Sequence, residues 1–344
     1  MVSLAGTAAL LVLLLWLRPS FPVAAYVLLV ALLNEGVALP SAFYRTFVLD
    51  RRYELSSEPV SAWFRDHFKA SGIATVFAIA AAEVVYALIA WSSTWWWLAA
   101  ALIGTGFTAV LARLAPVLLL PLFYRFIPLE RPALTERLLA LSKRAGVPVL
   151  GVYEWGLGAK TRRANAALVG SGATRRILLS DTLLAEYSDD EIEVILAHEL
   201  AHHVHHDIPK GLALEFGLLL ASCNAAALAL DTLRAPLGLS GPADPAGLPL
   251  LLLAGGAVMV AATPLANAVS RFNERRADQF AITLTRRRDA FVSAMRRLGA
   301  QNLVEEGPSR ATVWLFHTHP PIEERIAAAA QPPSMSQSAD QPIT

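Results

Sequence analysis

Six apolar segments run through the 344-residue sequence and restrict it to folds that a lipid bilayer can hold. Most of them are close in length to the roughly 20 apolar residues that a helix needs to cross the hydrocarbon core. The segments are 2–17, 21–39, 72–91, 95–123, 211–230 and 248–269. Charged residues make up 17% of the chain, against about 25% in soluble domains. The sequence therefore predicts a mainly α-helical integral membrane protein with about six transmembrane helices.

Two of these segments have features of their own. Segment 2–17 is short and could instead be a signal peptide, but it lacks a basic start and an A-x-A cleavage site. Segment 95–123 begins with three tryptophans, which is typical of a membrane interface. Pro116 and Pro121 predict that its helix kinks or ends early.

The distribution of basic residues predicts the orientation in the membrane. Cytoplasmic loops carry an excess of lysine and arginine. Basic residues are dense at 45–69, at 125–210 and after 271, and they are scarce at 92–94 and 231–247. Both termini and the region around residue 200 are thus predicted to be cytoplasmic, with Arg18 as a small exception. The high arginine and alanine content hints at a bacterial protein, and hence at the inner membrane.

The spacing of the segments predicts five regions. Residues 1–124 carry four spans and a cytoplasmic loop at 41–70, and residues 125–209 form a small soluble α+β insertion. Two further spans lie in 210–270, a cytoplasmic part in 271–330, and a disordered tail rich in proline, serine and glutamine in 331–344. Within the insertion we expect a helix at 132–145, strands at 149–154, 166–169 and 176–179, a turn at 170–172 and a helical stretch from Asp181 onward.

A metal-binding motif, H-E-x-x-H, lies near the end of that helical stretch. His198 and His202 are four residues apart, so on a helix both imidazoles leave the same face and can bind one zinc ion. Glu199 lies beside the first ligand, where a carboxylate can take a proton from a water molecule. The alternative is an ordinary amphipathic helix that carries these residues by chance.

A third ligand has to come from elsewhere in the chain, because zinc hydrolases use three protein ligands. The metzincin pattern is excluded, since His205 and Ile208 stand where it needs glycine and histidine. Glu274 is the best candidate. Asp278 follows one turn later and could hydrogen-bond a ligand imidazole, and Arg271 precedes by one turn and could neutralise either carboxylate.

The remaining histidines, the cysteine content and the net charge bear on other possible sites and partners. The roles of four further histidines stay open: His203, His205, His206 and His317. The single cysteine, Cys223, excludes a disulfide within the chain. The net charge of +1, without a dense basic stripe, argues against a nucleic-acid partner.

Several separated motifs resemble the gluzincin CAAX prenyl protease 1 family over residues 21–326. The matching motifs are F-Y-R-T-F-V at 43–48, P-L-F at 121–123, F-I-P-L at 126–129, N-A at 165–166, R-I-L-L at 176–179, D-T-L-L at 181–184, H-E-L-A-H at 198–202, N-x-x-S-R-x-x-E-x-x-A-D at 267–278 and H-P-P-x-x-E-R at 319–325. The resemblance implies a ring of transmembrane helices around an intramembrane chamber, with a gluzincin-type metalloprotease domain. Family members have seven spans, of which this sequence shows six.

The resemblance also implies roles for individual residues. The zinc ligands would be His198, His202 and Glu274, with one ion per chain and Glu199 as the general base. His319 would lie near the scissile bond as the first candidate for the oxyanion donor, with Arg271 second. An extended peptide would add a strand at the edge that carries Asn165 and Ala166.

The function expected from these features is a membrane zinc endopeptidase that acts on peptides or proteins and contacts membrane lipid. Its substrates could be lipidated C-terminal peptides. Broad quality-control cleavage of membrane proteins is the second hypothesis, and it gains if the chain is bacterial. A channel, transporter or scaffold without catalysis is the third, and the complete ligand set argues against it.

Overall fold

Long helices carry the apolar segments, and a small sheet lies between them in the chain order. A computed structural model describes residues 2–18, 20–170, 172–302 and 307–330. The helices are α1 (Val2–Leu17), α2 (Val23–Phe43), α3 (Leu49–Arg52), α4 (Val60–Trp91), α5 (Trp96–Leu118), α6 (Pro132–Arg144), α7 (Asp181–Glu186), α8 (Asp189–Val204), α9 (Asp207–Leu233), α10 (Leu248–Thr285), α11 (Arg288–Gln301), α12 (Arg310–Phe316) and α13 (Ile322–Ala330). The strands are β1 (Phe126–Pro128), β2 (Val152–Trp155), β3 (Ala166–Val169) and β4 (Arg176–Ser180).

Five helical segments in the described part of the chain are long and apolar enough to cross a bilayer. They are Val23–Arg52, Val60–Trp91, Trp96–Leu122, Asp207–Leu233 and Pro245–Thr285. Helix α1 is the sixth predicted segment and is apolar but shorter. The predicted class, a mainly α-helical membrane protein with a small α+β part, is confirmed. The ring arrangement of the helices stays a prediction.

Two compact units divide the chain. One contains residues 1–123, 159–161 and 209–263, and the other contains 124–158, 162–208 and 264 onward. The predicted bounds of the five regions stay a prediction. The predicted tail at 331–344 and part of the predicted turn at 170–172 lie outside the described residues.

The first unit has a core of aromatic and aliphatic side chains from α2, α4, α9 and the start of α10. Tyr26 and Leu230 are among its most deeply buried members. Polar side chains in these helices bond to one another, as the low dielectric of a membrane requires. Glu35 on α2 accepts from Ser71 and pairs with His67, both on α4, over 2.9 and 2.5 Å.

The second unit contains a four-stranded sheet in the order β1-β2-β4-β3. Strands β2 and β4 are parallel, whereas β1 and β3 pair antiparallel with them. Among the described strands, β3 pairs only with β4 and is therefore an edge of the sheet. Buried residues of α6, α8, α11 and the inner strands form one core.

Helix α8 is the central element of this unit because the side chains of its first ten positions, apart from Asp189 and Asp190, are buried or nearly so. It begins at a capping box in which Ser188 and Glu191 each satisfy a main-chain N–H of the other. This box corrects one expectation, since the helical stretch from Asp181 is broken at Tyr187 into α7 and α8. The predicted strand at 149–154 begins only at Val152, and the three-residue strand β1 was not predicted.

Candidate metal centre

Helix α8 presents His198 and His202 from one face. The ring centroids are 5.0 Å apart and the ring planes are nearly perpendicular, at 85°. The Nε2 atoms of both rings point to one carboxylate on α10, that of Glu274. Nε2 of His198 lies 3.3 Å from Oε2 of this carboxylate, and Nε2 of His202 lies 3.5 Å from Oε1.

These three residues have the arrangement of a metal site. One ligand atom from each lies within 4.8 Å of the others, and no other such group occurs among the described residues. The Glu274 carboxylate is buried, and its Oε2 accepts no well-aligned hydrogen bond in the described part of the chain. A buried carboxylate whose two oxygens face the Nε2 atoms of two imidazoles fits a divalent cation of the kind that zinc hydrolases hold with two histidines and a glutamate.

The other ring nitrogen of each imidazole, Nδ1, forms a hydrogen bond with a carboxylate. Asp278 on α10 bonds His198 over 2.9 Å, and Asp207 at the start of α9 bonds His202 over the same distance. Arginines hold both carboxylates. Arg325 donates twice to Asp278, over 2.6 and 2.8 Å, and Arg276 donates to Asp207 over 2.8 Å. The Nε2 atoms are therefore oriented toward the metal position.

Glu199 follows His198 on α8 and is partly buried. Burial raises the pKa of its carboxyl group above the usual range, and the neighbouring imidazoles oppose that shift. A carboxyl group with a raised pKa holds a proton more readily than an exposed one, which suits a group that must accept a proton and return it.

His319 reaches the same carboxylate from the segment before α13. Its Nδ1 lies 2.9 Å from Oε2 of Glu274, and its side chain is 63% exposed. The imidazole thus lies beside the carboxylate of the candidate metal site and is largely exposed.

Arg271 differs from expectation. Its guanidinium donates to the main-chain carbonyls of Val313 and His317, over 3.0 and 2.6 Å. The expected neutralisation of Asp278 comes from Arg325 instead. Arg271 is buried and joins α10 to the end of α12, and its role as a second oxyanion donor stays a prediction.

Three histidines after the motif do not belong to this group of candidate ligands. His203 hydrogen-bonds the main chain of Leu168 on β3, and burial together with the charge of Arg175 lowers its pKa. The His205 ring packs edge-on against Phe280 at 5.6 Å. His206 has a φ of 56°, the left-handed conformation that turns the chain between α8 and α9.

Asn165 and Ala166 lie at the start of the edge strand β3. The main-chain N–H of Ser180 donates to the carbonyl of Asn165 over 2.9 Å. In an antiparallel pair such bonded residues alternate, so Ala167 bonds β4, whereas the main-chain groups of Ala166 and Leu168 face the free edge. His203 already engages Leu168. Ala166 is the other residue whose main-chain groups point away from β4, although the residue as a whole is buried.

Sequence reasoning missed three residues of this site or left them undecided. Arg325 belongs to the H-P-P-x-x-E-R motif, which indicated that the residue matters. The motif did not indicate that Arg325 binds Asp278. Asp207 follows the histidine cluster directly, and only its contact with His202 identifies it. Arg276 gave no signal, because nothing in the spacing distinguishes it from Arg275.

Comparison with known proteins matches residues 128–332 to peptidase family M48. Residues 4–125 match a second family, described as CAAX prenyl protease N-terminal, five membrane helices. The uncharacterized metalloprotease YhfN of Bacillus subtilis is 34% identical over 312 residues, which cover 88% of this chain and 72% of that protein.

Two further similarities concern a yeast protein and a solved structure. CAAX prenyl protease 1 of Saccharomyces cerevisiae is 29% identical over 180 residues, which cover 51% of this chain and only 39% of the yeast protein. The crystal structure of Ste24p from S. mikatae matches with a TM-score of 0.82 at 22% identity, over 90% of this chain and 77% of that one. That similarity extends to the fold.

Proposed function

The chain belongs to peptidase family M48, and from this premise we propose that it is a zinc-dependent membrane endopeptidase. A metalloprotease with several membrane-spanning helices needs a metal cofactor and a peptide or protein substrate. We assign zinc as the metal and His198, His202 and Glu274 as its ligands. The observation that carries the assignment is the meeting of two Nε2 atoms at one buried carboxylate.

Zinc, when bound, supplies a Lewis acid that polarises the scissile carbonyl and makes water more acidic. Glu199 is the general base, which accepts a proton from the attacking water and passes it to the leaving amine. Its partly buried carboxyl group, with a raised pKa, supports both transfers. Asp278 fixes the orientation of His198 by accepting its Nδ1–H.

His319 is the proposed donor to the oxyanion. Its ring is exposed and lies beside the carboxylate of Glu274, where a substrate carbonyl would approach. Arg271 is the second candidate. Since its guanidinium already donates to two carbonyls, it has less freedom to turn toward a substrate.

The substrate would bind as an extended strand along the free edge of β3. Main-chain hydrogen bonds to Ala166 would align the peptide without requiring a particular sequence. Asn165 would lie at the end of the binding edge, directly before β3. This mode supports an endopeptidase with broad sequence tolerance.

The substrate class has two candidates. Similarity to a CAAX prenyl protease of yeast supports lipidated C-terminal peptides. Similarity to a protein named protease HtpX homolog, from Albidiferax ferrireducens, at 31% identity over 216 residues, supports the quality-control alternative. Cleavage of a farnesylated peptide and of its unmodified twin would separate the two, since only the first hypothesis expects a strong preference for the lipid.

The experiment that tests the proposed function uses the purified full chain in lipid vesicles. Wild-type protein should contain about one zinc ion, lose peptide cleavage on chelation and regain it with zinc. Glu199→Gln should keep the zinc but lower kcat by about 100- to 10,000-fold, as expected for loss of a general base. Glu186→Gln removes the same charge from an exposed position of α7 and is the matched control. Equal turnover by Glu199→Gln and wild type would overturn the assignment.

A further inference from the structure

The connection between α8 and α9 returns the chain to the metal site. Helix α8 ends at Val204, and α9 begins at Asp207 after the left-handed residue His206. This reversal places the Asp207 carboxylate, five residues after His202, against the Nδ1 of that ring at 2.9 Å. The carboxylate is 9% exposed, so its contact with the imidazole is largely shielded from solvent.

The second oxygen of Asp207 accepts a hydrogen bond from Arg276 over 2.8 Å. Arg276 lies on α10, two residues after Glu274. Its guanidinium also packs over the Phe272 ring at 5.3 Å, which limits the positions that it can take. A buried carboxylate needs such a partner, because an unpaired charge would be costly there.

We propose that Asp207 is a positioning residue for His202, and that Arg276 holds Asp207 in place. The inference rests on the proposed role of His202 as a zinc ligand. A carboxylate that accepts the Nδ1–H leaves the Nε2 lone pair free and makes it a stronger donor to a metal.

The arrangement matches that of the other imidazole, where Asp278 holds His198 and Arg325 holds Asp278. Each orienting carboxylate has its own guanidinium, so the two pairs are neutral in sum. Among the described residues, the carboxylates next to the metal position that lack such a guanidinium partner of their own are those of Glu274 and Glu199. Because Asp207 is also the first residue of α9, the geometry of His202 depends on the α8–α9 connection as well as on α8.

The test measures zinc affinity by chelator competition on the purified full chain. Asp207→Ala should weaken zinc binding by about 10- to 100-fold, the usual effect of removing an orienting partner. Asp207→Asn keeps an oxygen that can accept from Nδ1 but loses the charge and the ion pair, so it should show a smaller loss. Asp289→Asn removes an exposed acidic residue from the first turn of α11 and should leave zinc affinity unchanged.

Arg276→Met should also weaken zinc binding. Arg275→Met is the matched control on the same helix, α10, and should not weaken it, because Arg275 is exposed and pairs with Glu324 of α13 instead. The double variant Asp207→Asn with Arg276→Met should lose less than the sum of the single losses, since both act on one ring. A purely structural role would instead lower the thermal midpoint of the metal-free protein and leave zinc affinity intact.

Two controls separate this inference from the proposed function. Wild type must bind zinc and His198→Ala must lose it; if either fails, the zinc site itself is wrong. If both hold and Asp207→Asn binds zinc as tightly as Asp289→Asn, the inference is overturned. Should Asp207→Ala not fold, the Asp207→Asn and Arg276→Met results decide.

Discussion

The two imidazoles that we propose as zinc ligands must present Nε2 without a proton before a metal can bind. In the metal-free protein, burial lowers the pKa of His198, but contacts with Asp278 and Glu274 outweigh burial and raise it to about 9. This raised pKa favours the protonated ring near neutral pH in the metal-free protein. Metal binding must displace that proton, so the acidic partner that orients the ring also makes the metal compete with a proton.

We therefore predict that zinc affinity rises with pH up to about pH 9. Below the raised pKa the protonated form dominates, so His198 alone should weaken zinc binding about tenfold for each unit that the pH falls. Chelator competition at about pH 6.5 and about pH 8.5 measures the slope, and calorimetry in two buffers should detect the released proton. Asp278→Asn should move the upper limit of the slope to lower pH, since it removes a contact that raises the pKa of His198. A zinc affinity that does not change between these pH values would contradict the prediction.

A contact between two residues of the site was easier to predict from the sequence when the residues lie close together in the chain. His198, Glu199 and His202 share one helix, so their spacing alone predicts that the imidazoles share a face. Glu274 lies about 70 residues away, and it was identified by a motif rather than by geometry. Asp207 and Arg276 meet only because His206 reverses the chain, and no sequence period describes such a turn.

At the scale of elements, segments with a clear periodic pattern were predictable, whereas the break between two helices and the shortest strand were not. Helix α6 and strands β3 and β4 lie within one residue of their expected bounds. The break between α7 and α8 depends on the reciprocal hydrogen bonds of Ser188 and Glu191. Strand β1 has three residues and ends in a proline, so it pairs with β2 through tertiary context rather than through propensity.

Strand β3 is the element on which the proposed substrate mode depends. Ala166→Pro removes the main-chain N–H that faces the free edge without removing a bond to β4, and proline is tolerated at such edges. We expect kcat/KM for peptides to fall about 2- to 10-fold, the range for one lost hydrogen bond, with zinc affinity unchanged. Ala167→Pro is the contrasting variant, because it removes a bond to β4 and should lower the thermal midpoint. Wild-type cleavage by a folded Ala166→Pro protein would exclude this binding edge.

At the scale of the whole molecule, the long helices of the first unit expose large apolar side chains, and the second unit carries ion pairs between its helices. Helices α2 and α4 expose large hydrophobic side chains such as Leu32 and Val76, which are 63% and 65% exposed, as expected for surfaces that face lipid. The second unit has ion pairs between α6 and α8, including Arg137 with Asp190 and Glu193. Exposed apolar side chains are expected on helices that face lipid and ion pairs on helices that face water, and the distribution of basic residues predicts that this water is cytoplasmic.

The orientation can be tested with single cysteines in a Cys223→Ser background. Gly241 lies in the connection between α9 and α10, where an added Cβ meets nothing within 4 Å. Ala140 is an exposed position of α6. In intact cells that make the protein, Gly241→Cys should react with a membrane-impermeant maleimide, whereas Ala140→Cys should react only after the cells are opened. Because segment 231–247 carries a single basic residue and 125–210 carries many, the opposite pattern would mean that basic charge does not set the orientation of this chain. The metal site would then face away from the cytoplasm, and the proposed location would be wrong while the zinc assignment stayed intact.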